Sequence, residues 1–187
     1  MTDEAALIDE ILAGQSQAFG QLVTKYQDRL YNAMVHVLGS AEDAHDVVQD
    51  AFVQAFVKLD SFKRTSAFYT WLYRIAFNRA MSLRRRQRPT TSIDHVREAS
   101  GEEPTDTQGS PVDHLVQQDR VNQVQAALSR LSEEHRSVIV LREMEGLNYD
   151  DISEILELPV GTVRSRLHRA RTQMRGQLKE VLQEDSK

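Results

Sequence analysis

The chain has no cysteine in its 187 residues. Disulfides, thiolate metal sites and cysteine nucleophiles are excluded together, and a reducing compartment suits such a sequence. Glycine and proline are scarce, at 8 and 4, so breakers are few and helix is favoured over strand. No run of roughly eighteen apolar residues occurs, which removes a membrane-spanning helix. The first ten residues hold Asp3, Glu4, Asp9 and Glu10 and neither Lys nor Arg. A secretory signal needs a basic start, so none is expected there, and the expected location is the cytoplasm. Catalytic signatures are missing too: there is no HExxH, no glycine-rich phosphate loop and no Ser-His-Asp set, and the six His are scattered. The expectation is a protein that is not an enzyme and holds no metal or cofactor.

What is present is an uneven distribution of charge. The net charge of −5 would argue against a polyanion partner, but the average conceals blocks. Residues 1–61 carry 3 basic and 10 acidic side chains, net −7, whereas 62–90 carry 8 basic and none acidic, net +8. Residues 91–119 are net −6 (1 basic, 7 acidic), 120–159 net −4 (4 and 8), and 160–187 net +4 (7 and 3). Two cationic blocks set between acidic stretches suggest two separate polyanion contacts; solvated helix faces are the plainer alternative.

Hydrophobic spacing predicts an all-α chain of two small helical domains. A short helix with Leu7, Ile8 and Ile11 ends at Gly14. A second, with Ser16 as candidate cap, runs from Phe19 to Gly39. Ser40 and Asp43 open a third, with Ala44, Val47, Val48, Ala51, Phe52 and Ala55 on one face, and a fourth spans about 67–86. Residues 89–111 show no apolar period and are rich in Pro, Thr, Ser, Gly and acids, which predicts a flexible acidic linker. It divides the chain into modules at 1–88 and 112–187. In the second module, Val121, Val124, Leu128 and Leu131 predict a helix, and Ser132 and Asn148 cap the next two.

The sharpest signal is YDDISEILELPVGTVRSRLHRAR at 149–171. It has a short helix, a tight turn and a second helix, the layout of a helix-turn-helix. At about 100° per residue, Val163, Leu167, Ala170, Met174 and Leu178 share one face. Arg164, Ser165, His168, Arg169 and Arg171 fall opposite. Arginine can take guanine O6 and N7 bidentately, and only the first turns of such a helix reach bases. Arg164, Ser165 and Arg169 are therefore expected on bases or adjacent phosphates, and Arg166, His168 and Arg171 on the DNA backbone. Glu157 occupies the turn where glycine is common, at a conformational cost.

A second constellation, FKRTSAFYTWLYRIAFNRAMSLRRR at 62–86, mixes rings with cations; six of the chain's twelve aromatics lie within 62–77. On the helical projection Phe68, Leu72, Ile75 and Leu83 face one way, into an expected core; Trp71, Arg74, Asn78 and Arg85 share a different stripe, and Phe62, Lys63, Arg64 and Thr65 sit in the preceding loop. Phosphates take the charge and unstacked bases meet rings and amides, so this is a platform for single-stranded DNA. Read alone, core aromatics and a solvated basic helix end remain open. A third feature is an acidic face on the third helix, where Asp43, Asp46, Gln49, Asp50 and Val53 lie opposite the apolar stripe, either solvated or a docking surface for a basic protein.

Together, AEDAHDVVQDAFVQAF at 41–56, SAFYTWLYRIAFNRA at 66–80 and the segment 136–171 resemble bacterial sigma factors of the extracytoplasmic-function (ECF, group 4) family. The resemblance covers most of the chain outside the linker. It implies a transcription initiation factor that binds core RNA polymerase and directs it to promoter DNA. Residues 1–88 would be sigma region 2. Its third helix would dock on polymerase through Asp43, Asp46, Gln49 and Asp50. The following loop and helix would recognise and melt the −10 element, with Phe62 and Asn78 as base contacts, Trp71 in support, and Lys63, Arg64 and Arg74 on the same surface. Residues 112–187 would be region 4, reading the −35 element. The family commonly has an anti-sigma factor, so one is expected as a partner. Lys63-Arg64-Thr65 stands where family members often have a Gly and an acid, which leaves the −10 base preference open. Two other readings are a regulator that binds duplex DNA alone through 149–171 and an adaptor that holds acidic proteins on both basic faces.

Overall fold

The computed structural model describes residues 4–87 and 111–184, with side chains over 4–87 and 119–180. The expected linker lies almost wholly outside this set. The helices are α1 (Glu4–Leu12), α2 (Phe19–Leu38), α3 (Ala41–Val57), α4 (Phe68–Gln87), α5 (Pro111–Ser129), α6 (Glu133–Ile139), α7 (Tyr149–Leu156) and α8 (Val160–Glu184), and no strand occurs among the described residues. They form two compact units, one built mainly from α1 to α4 and the other mainly from α5 to α8.

In the first unit α3 packs against both α2 and α4. Leu22, Leu30 and Met34 of α2 meet a flat side of α3 lined by Ala44, Ala51 and Ala55, and all are buried. Alanines let the helix axes approach, and Val47, Phe52, Leu72 and Tyr73 are buried with them. Gly39 closes α2 at φ 74 with its N–H on the Val35 carbonyl, and Ser40 immediately accepts the Asp43 N–H to open α3. One side-chain oxygen and one left-handed residue thus make a corner with no intervening loop. Ser16 differs from expectation. Residues 16–18 form a separate 3-10 turn, and α2 starts at Phe19 without a side-chain cap. The core of α4 also differs: Ile75 and Leu83 are half-buried, while Tyr73, Ala76 and Phe77 face inward. Packing against two neighbours makes the buried arc of α4 wider than a single stripe.

In the second unit α8 packs against α5 and α6. Leu128, Val138, Leu141, Ile152, Val163, Leu167 and Ala170 are buried. The expected apolar stripe of α5 buries Leu128 and Leu131, but Val121 is 53% exposed; Met174 and Leu178 of α8 are only half-buried. Ser132 accepts the His135 N–H and Asn148 the Asp151 N–H, so both predicted caps form. After Ile139 the chain widens into a π-turn over Val140–Met144, with the Glu145 N–H on the Val140 carbonyl. Such turns re-aim side chains by one position.

Candidate nucleic-acid and partner-docking surfaces

The turn between α7 and α8 is fixed by local bonds. Glu157 adopts φ 54, ψ 44, the left-handed conformation in which a side-chain-bearing residue costs about 1–2 kcal/mol. The Ser153 hydroxyl donates to the Leu158 carbonyl, and the Leu158 N–H returns to the Ser153 carbonyl. Val163 and Thr162 donate to the Pro159 carbonyl, which starts α8 at once. Ile152 and Val163 are buried, whereas Leu156 and Leu158 are half-buried.

The outward side of α8 carries Arg164, Ser165, His168, Arg169 and Arg171, all exposed, and Arg166, half-buried. These six do not behave alike. Arg166 pairs with Glu134 at 3.1 Å. Arg171 sends Nε and Nη2 to one oxygen of Glu143, at 2.9 and 2.6 Å. The Arg164 guanidinium lies 5.6 Å from the Tyr149 ring centre, and Arg142 covers the same ring at 5.1 Å. Arg142 also donates to the Leu147 carbonyl at 2.7 Å, which seats the π-turn. Sequence periodicity reached the arginines but missed Tyr149, Glu134 and Glu143. The only available signal was their nearness to the motif, since the pairing depends on how α6 and the π-turn meet α8.

In the first unit Phe62, Phe68 and Trp71 form a ring cluster. Phe62 lies 5.1 Å from Trp71 and 5.7 Å from Phe68, centre to centre, and Phe68 lies 5.8 Å from Trp71. Phe68 is buried, and Phe62 and Trp71 keep part of their surface open. Asn78 is exposed two turns along α4 from Trp71, with Arg74 half-buried between them. Lys63, Arg64 and Thr65 are exposed in the loop. The cationic block is not all directed outward. Arg64 is ion-paired with Asp9, Arg79 with Asp50 at 2.6 Å, and Arg84 donates to the Val37 carbonyl at 3.2 Å, near the end of α2.

The acidic face of α3 divides in the same way. Asp50 is held by Arg79, and Asp43 accepts from Gln87 at 3.1 Å. Asp46 and Gln49 point to solvent. One and two turns further along that face, Val53 and Val57 are 59% and 68% exposed, with Phe56 beside them. Sequence analysis placed Val53 there but did not foresee an apolar continuation.

A strong local electrostatic knot ties α1 to this unit. The Glu4 carboxylate accepts from Tyr26 and from Lys25, the latter at 2.9 Å. Burial pushes its pKa up, but the bonds from Lys25 and Tyr26, the Lys25 charge and the Phe68 backbone N–H outweigh burial and hold it below its ordinary 4.5. The Glu4 bond raises Lys25, while burial first and Glu4 second raise Tyr26.

Among the described residues no cluster of His, Cys, Asp and Glu could hold a metal ion, and no helix is long and apolar enough to cross a membrane. The family model described as "Sigma-70 region 2" matches residues 22–90, and "Sigma-70, region 4" matches 122–174. The chain is 37% identical over 183 residues to the RNA polymerase sigma-H factor of Pseudomonas aeruginosa, with 95% of each chain covered. It is 35% identical over 181 residues to the ECF RNA polymerase sigma factor SigW of Bacillus subtilis, covering 93% of this chain and 96% of that one. A solved structure of the sigma factor RpoE from Bartonella quintana, in complex with the anti-sigma factor NepR, superposes with a TM-score of 0.69 at 26% identity, covering 86% and 96%. A helix-turn-helix with a cationic outer face in one unit and a ring-and-amide surface in the other, matched along nearly the full length of these relatives, place the chain in the ECF family of RNA polymerase sigma factors.

Proposed function

We propose that this chain binds core RNA polymerase in the cytoplasm and confers promoter specificity without catalysing a reaction itself. The domains we assign are region 2 at 1–88, a linker at 89–111 and region 4 at 112–187. The observation that carries the reading is the outer face of α8, where Arg164, Ser165, His168 and Arg169 project to solvent opposite the buried Val163, Leu167 and Ala170. A helix so built enters the major groove with its first turns on base edges. Arg164 and Arg169 then read bases of the −35 element, and Ser165 a base or the adjacent phosphate. Arg166, His168 and Arg171 take phosphates, the first and last by exchanging Glu134 and Glu143 for DNA.

The −10 element is assigned to the first unit. Phe62 and Asn78 take unstacked bases, Trp71 supports Phe62 from behind, and Lys63, Arg64 and Arg74 supply charge nearby. A partly open ring and an exposed amide suit a base that has left the duplex. The face of α3 running from Asp46 and Gln49, with Asp43 and Asp50 at its edge, is assigned to core polymerase. Exposed Val53 and Val57 give that contact an apolar centre of the kind that protein interfaces bury. An anti-sigma factor is a further expected partner, as for the RpoE relative.

The test is run-off transcription with purified core polymerase. The expected result is transcript from matched promoters only when this chain and core are both present. Tight sequence-specific duplex binding by the free chain would favour the lone regulator, and failure to form a stable complex with core would overturn the sigma reading. Asp46→Arg should weaken core binding while leaving helicity intact.

A further inference from the structure

The loop at 62–67, between the 3-10 turn of Leu59–Ser61 and α4, is held more firmly than its exposure suggests. Its backbone is unusual at one position. Arg64 has φ 58, and among the described residues other than glycine only Glu157 shares a positive φ. Nothing in the type of residue favours that conformation, since arginine carries a full side chain. Contacts around it must therefore favour it. One contact made by the Arg64 side chain reaches α1, 55 residues earlier: its guanidinium donates to the Asp9 carboxylate. The two ends of the loop are fastened separately. At its start the Phe62 N–H meets the Leu59 carbonyl at 3.1 Å, and the Phe62 ring rests on Phe68 and Trp71. At its end Glu4, also on α1, lies where the Phe68 backbone N–H favours its charged form, and is itself held by Lys25 and Tyr26.

We propose that Asp9 is a positioning residue for promoter recognition: by clamping Arg64 in the left-handed conformation it sets the path of the loop that presents Phe62, and so sets which −10 base is accepted. The inference rests on the assignment of this loop to the −10 element. With Asp9 in place, the Arg64 guanidinium is held against α1 and contributes only charge at a distance, while the loop itself offers a ring, the Lys63 ammonium and the Thr65 hydroxyl. Without it, Arg64 relaxes to a right-handed conformation, the loop changes course, and a second guanidinium becomes available to phosphate or a base edge. Glycine at 64 would need no clamp, because it adopts a positive φ without steric penalty.

The experiment uses the full chain with core polymerase on two promoter panels, one varied singly through the −10 element and one through the −35 element. Asp9→Ala is expected to change relative preference at one −10 position by roughly two- to fivefold, the range that an exposed ion pair commands, and to leave the −35 profile unchanged. In an Arg64→Gly background, Asp9→Ala is expected to add nothing. Asp9→Glu is expected to restore most of the original preference. Trp71, the only tryptophan, lies against Phe62, so its emission should shift in Asp9→Ala and not respond to Asp9→Ala when residue 64 is glycine. If Asp9→Ala loses helicity, Asp9→Asn keeps the shape and removes the charge. A −10 profile unchanged in Asp9→Ala, a uniform loss across all promoters, or an effect of equal size in the Arg64→Gly background overturns the clamp. Phe62→Ala separates the two levels. If it shifts the −10 profile while Asp9→Ala does not, only the clamp fails; if it shifts nothing, the loop assignment fails and the clamp with it.

Discussion

Arg136 offers the firmest quantitative handle on region 4. It is 6% exposed, and its guanidinium sits against the C-terminal end of α5. Nε donates to the Leu128 carbonyl at 2.9 Å and Nη2 to the Ser129 carbonyl at 2.8 Å, with a longer contact to Leu131 at 3.4 Å. The Leu128 and Ser129 carbonyls lie in the last turn of α5, where a helix end leaves carbonyls without i+4 partners, although Leu128 also takes the Leu131 N–H at 3.1 Å, and a cation there meets the negative end of the helix dipole. Arg136→Met keeps the apolar stem and removes the donors. Two well-made bonds from a charged group are worth roughly 1.5–3 kcal/mol each, and the third is too long to add much. Water entering beside the thioether recovers part, so the net loss should be about 3 kcal/mol. For a unit of this size that lowers the midpoint by on the order of 10–20 °C. Urea and thermal unfolding, followed by far-UV ellipticity and Trp71 emission, would check it. Trp71 lies in α4, so its transition should stay within error while part of the ellipticity transition moves to lower urea. A shift in stability below about 0.5 kcal/mol, the scatter of ordinary surface changes, would refute the account of Arg136 as the cap of α5.

Three further expectations follow from the geometry. Arg164→Ala should cost roughly 1–3 kcal/mol at one −35 position and relax the preference there, read by competition among promoter variants in the polymerase complex; an equal loss at every sequence would reassign Arg164 to phosphate. Glu4 has a folded pKa below its ordinary value, so the stability it contributes is present above the ordinary carboxylate range and is lost as pH falls through the depressed folded value. Glu4→Gln should therefore flatten the acid limb of stability below about pH 5, measured as urea midpoints of the two proteins across that range, with parallel curves counting against the knot. Asn148→Ala removes the oxygen that accepts the Asp151 N–H at 2.9 Å and should destabilise region 4 by about 1 kcal/mol in the same unfolding assay.

Local signals in the sequence located what local chemistry decides. The Gly39 and Ser40 corner, the Ser132 and Asn148 caps and the left-handed Glu157 depend on a few neighbouring residues, and each is found where the spacing put it. The outward stripe of α8 was legible for the same reason, since a 3.6-residue period alone sorts its faces. Ser16 shows the limit: the residue type suits a cap, yet the chain turns as 3-10 before α2 begins, because Ala18 and Phe19 are drawn into the core. The π-turn at 140–144 had no signature, because the helix ends with it and no later turn carries the rotated apolar phase that an extra residue would leave. Long-range pairings were out of reach altogether. Arg64 with Asp9, Arg171 with Glu143 and Arg166 with Glu134 depend on helix packing, and a list of charges along the chain does not reveal which of them are already neutralised.

The carboxylates that hold Arg166 and Arg171 have a thermodynamic consequence. A cation that meets a nucleic-acid backbone displaces condensed counterions, and this release makes association so sensitive to ionic strength. An arginine that leaves its own glutamate for a phosphate strips the same ions from the polyelectrolyte, but the vacated carboxylate gathers mobile cations in return. Part of the mixing entropy is thereby returned. The slope of affinity against salt should be shallower than the number of basic side chains on α8 implies, so a titration would undercount the arginines that touch DNA.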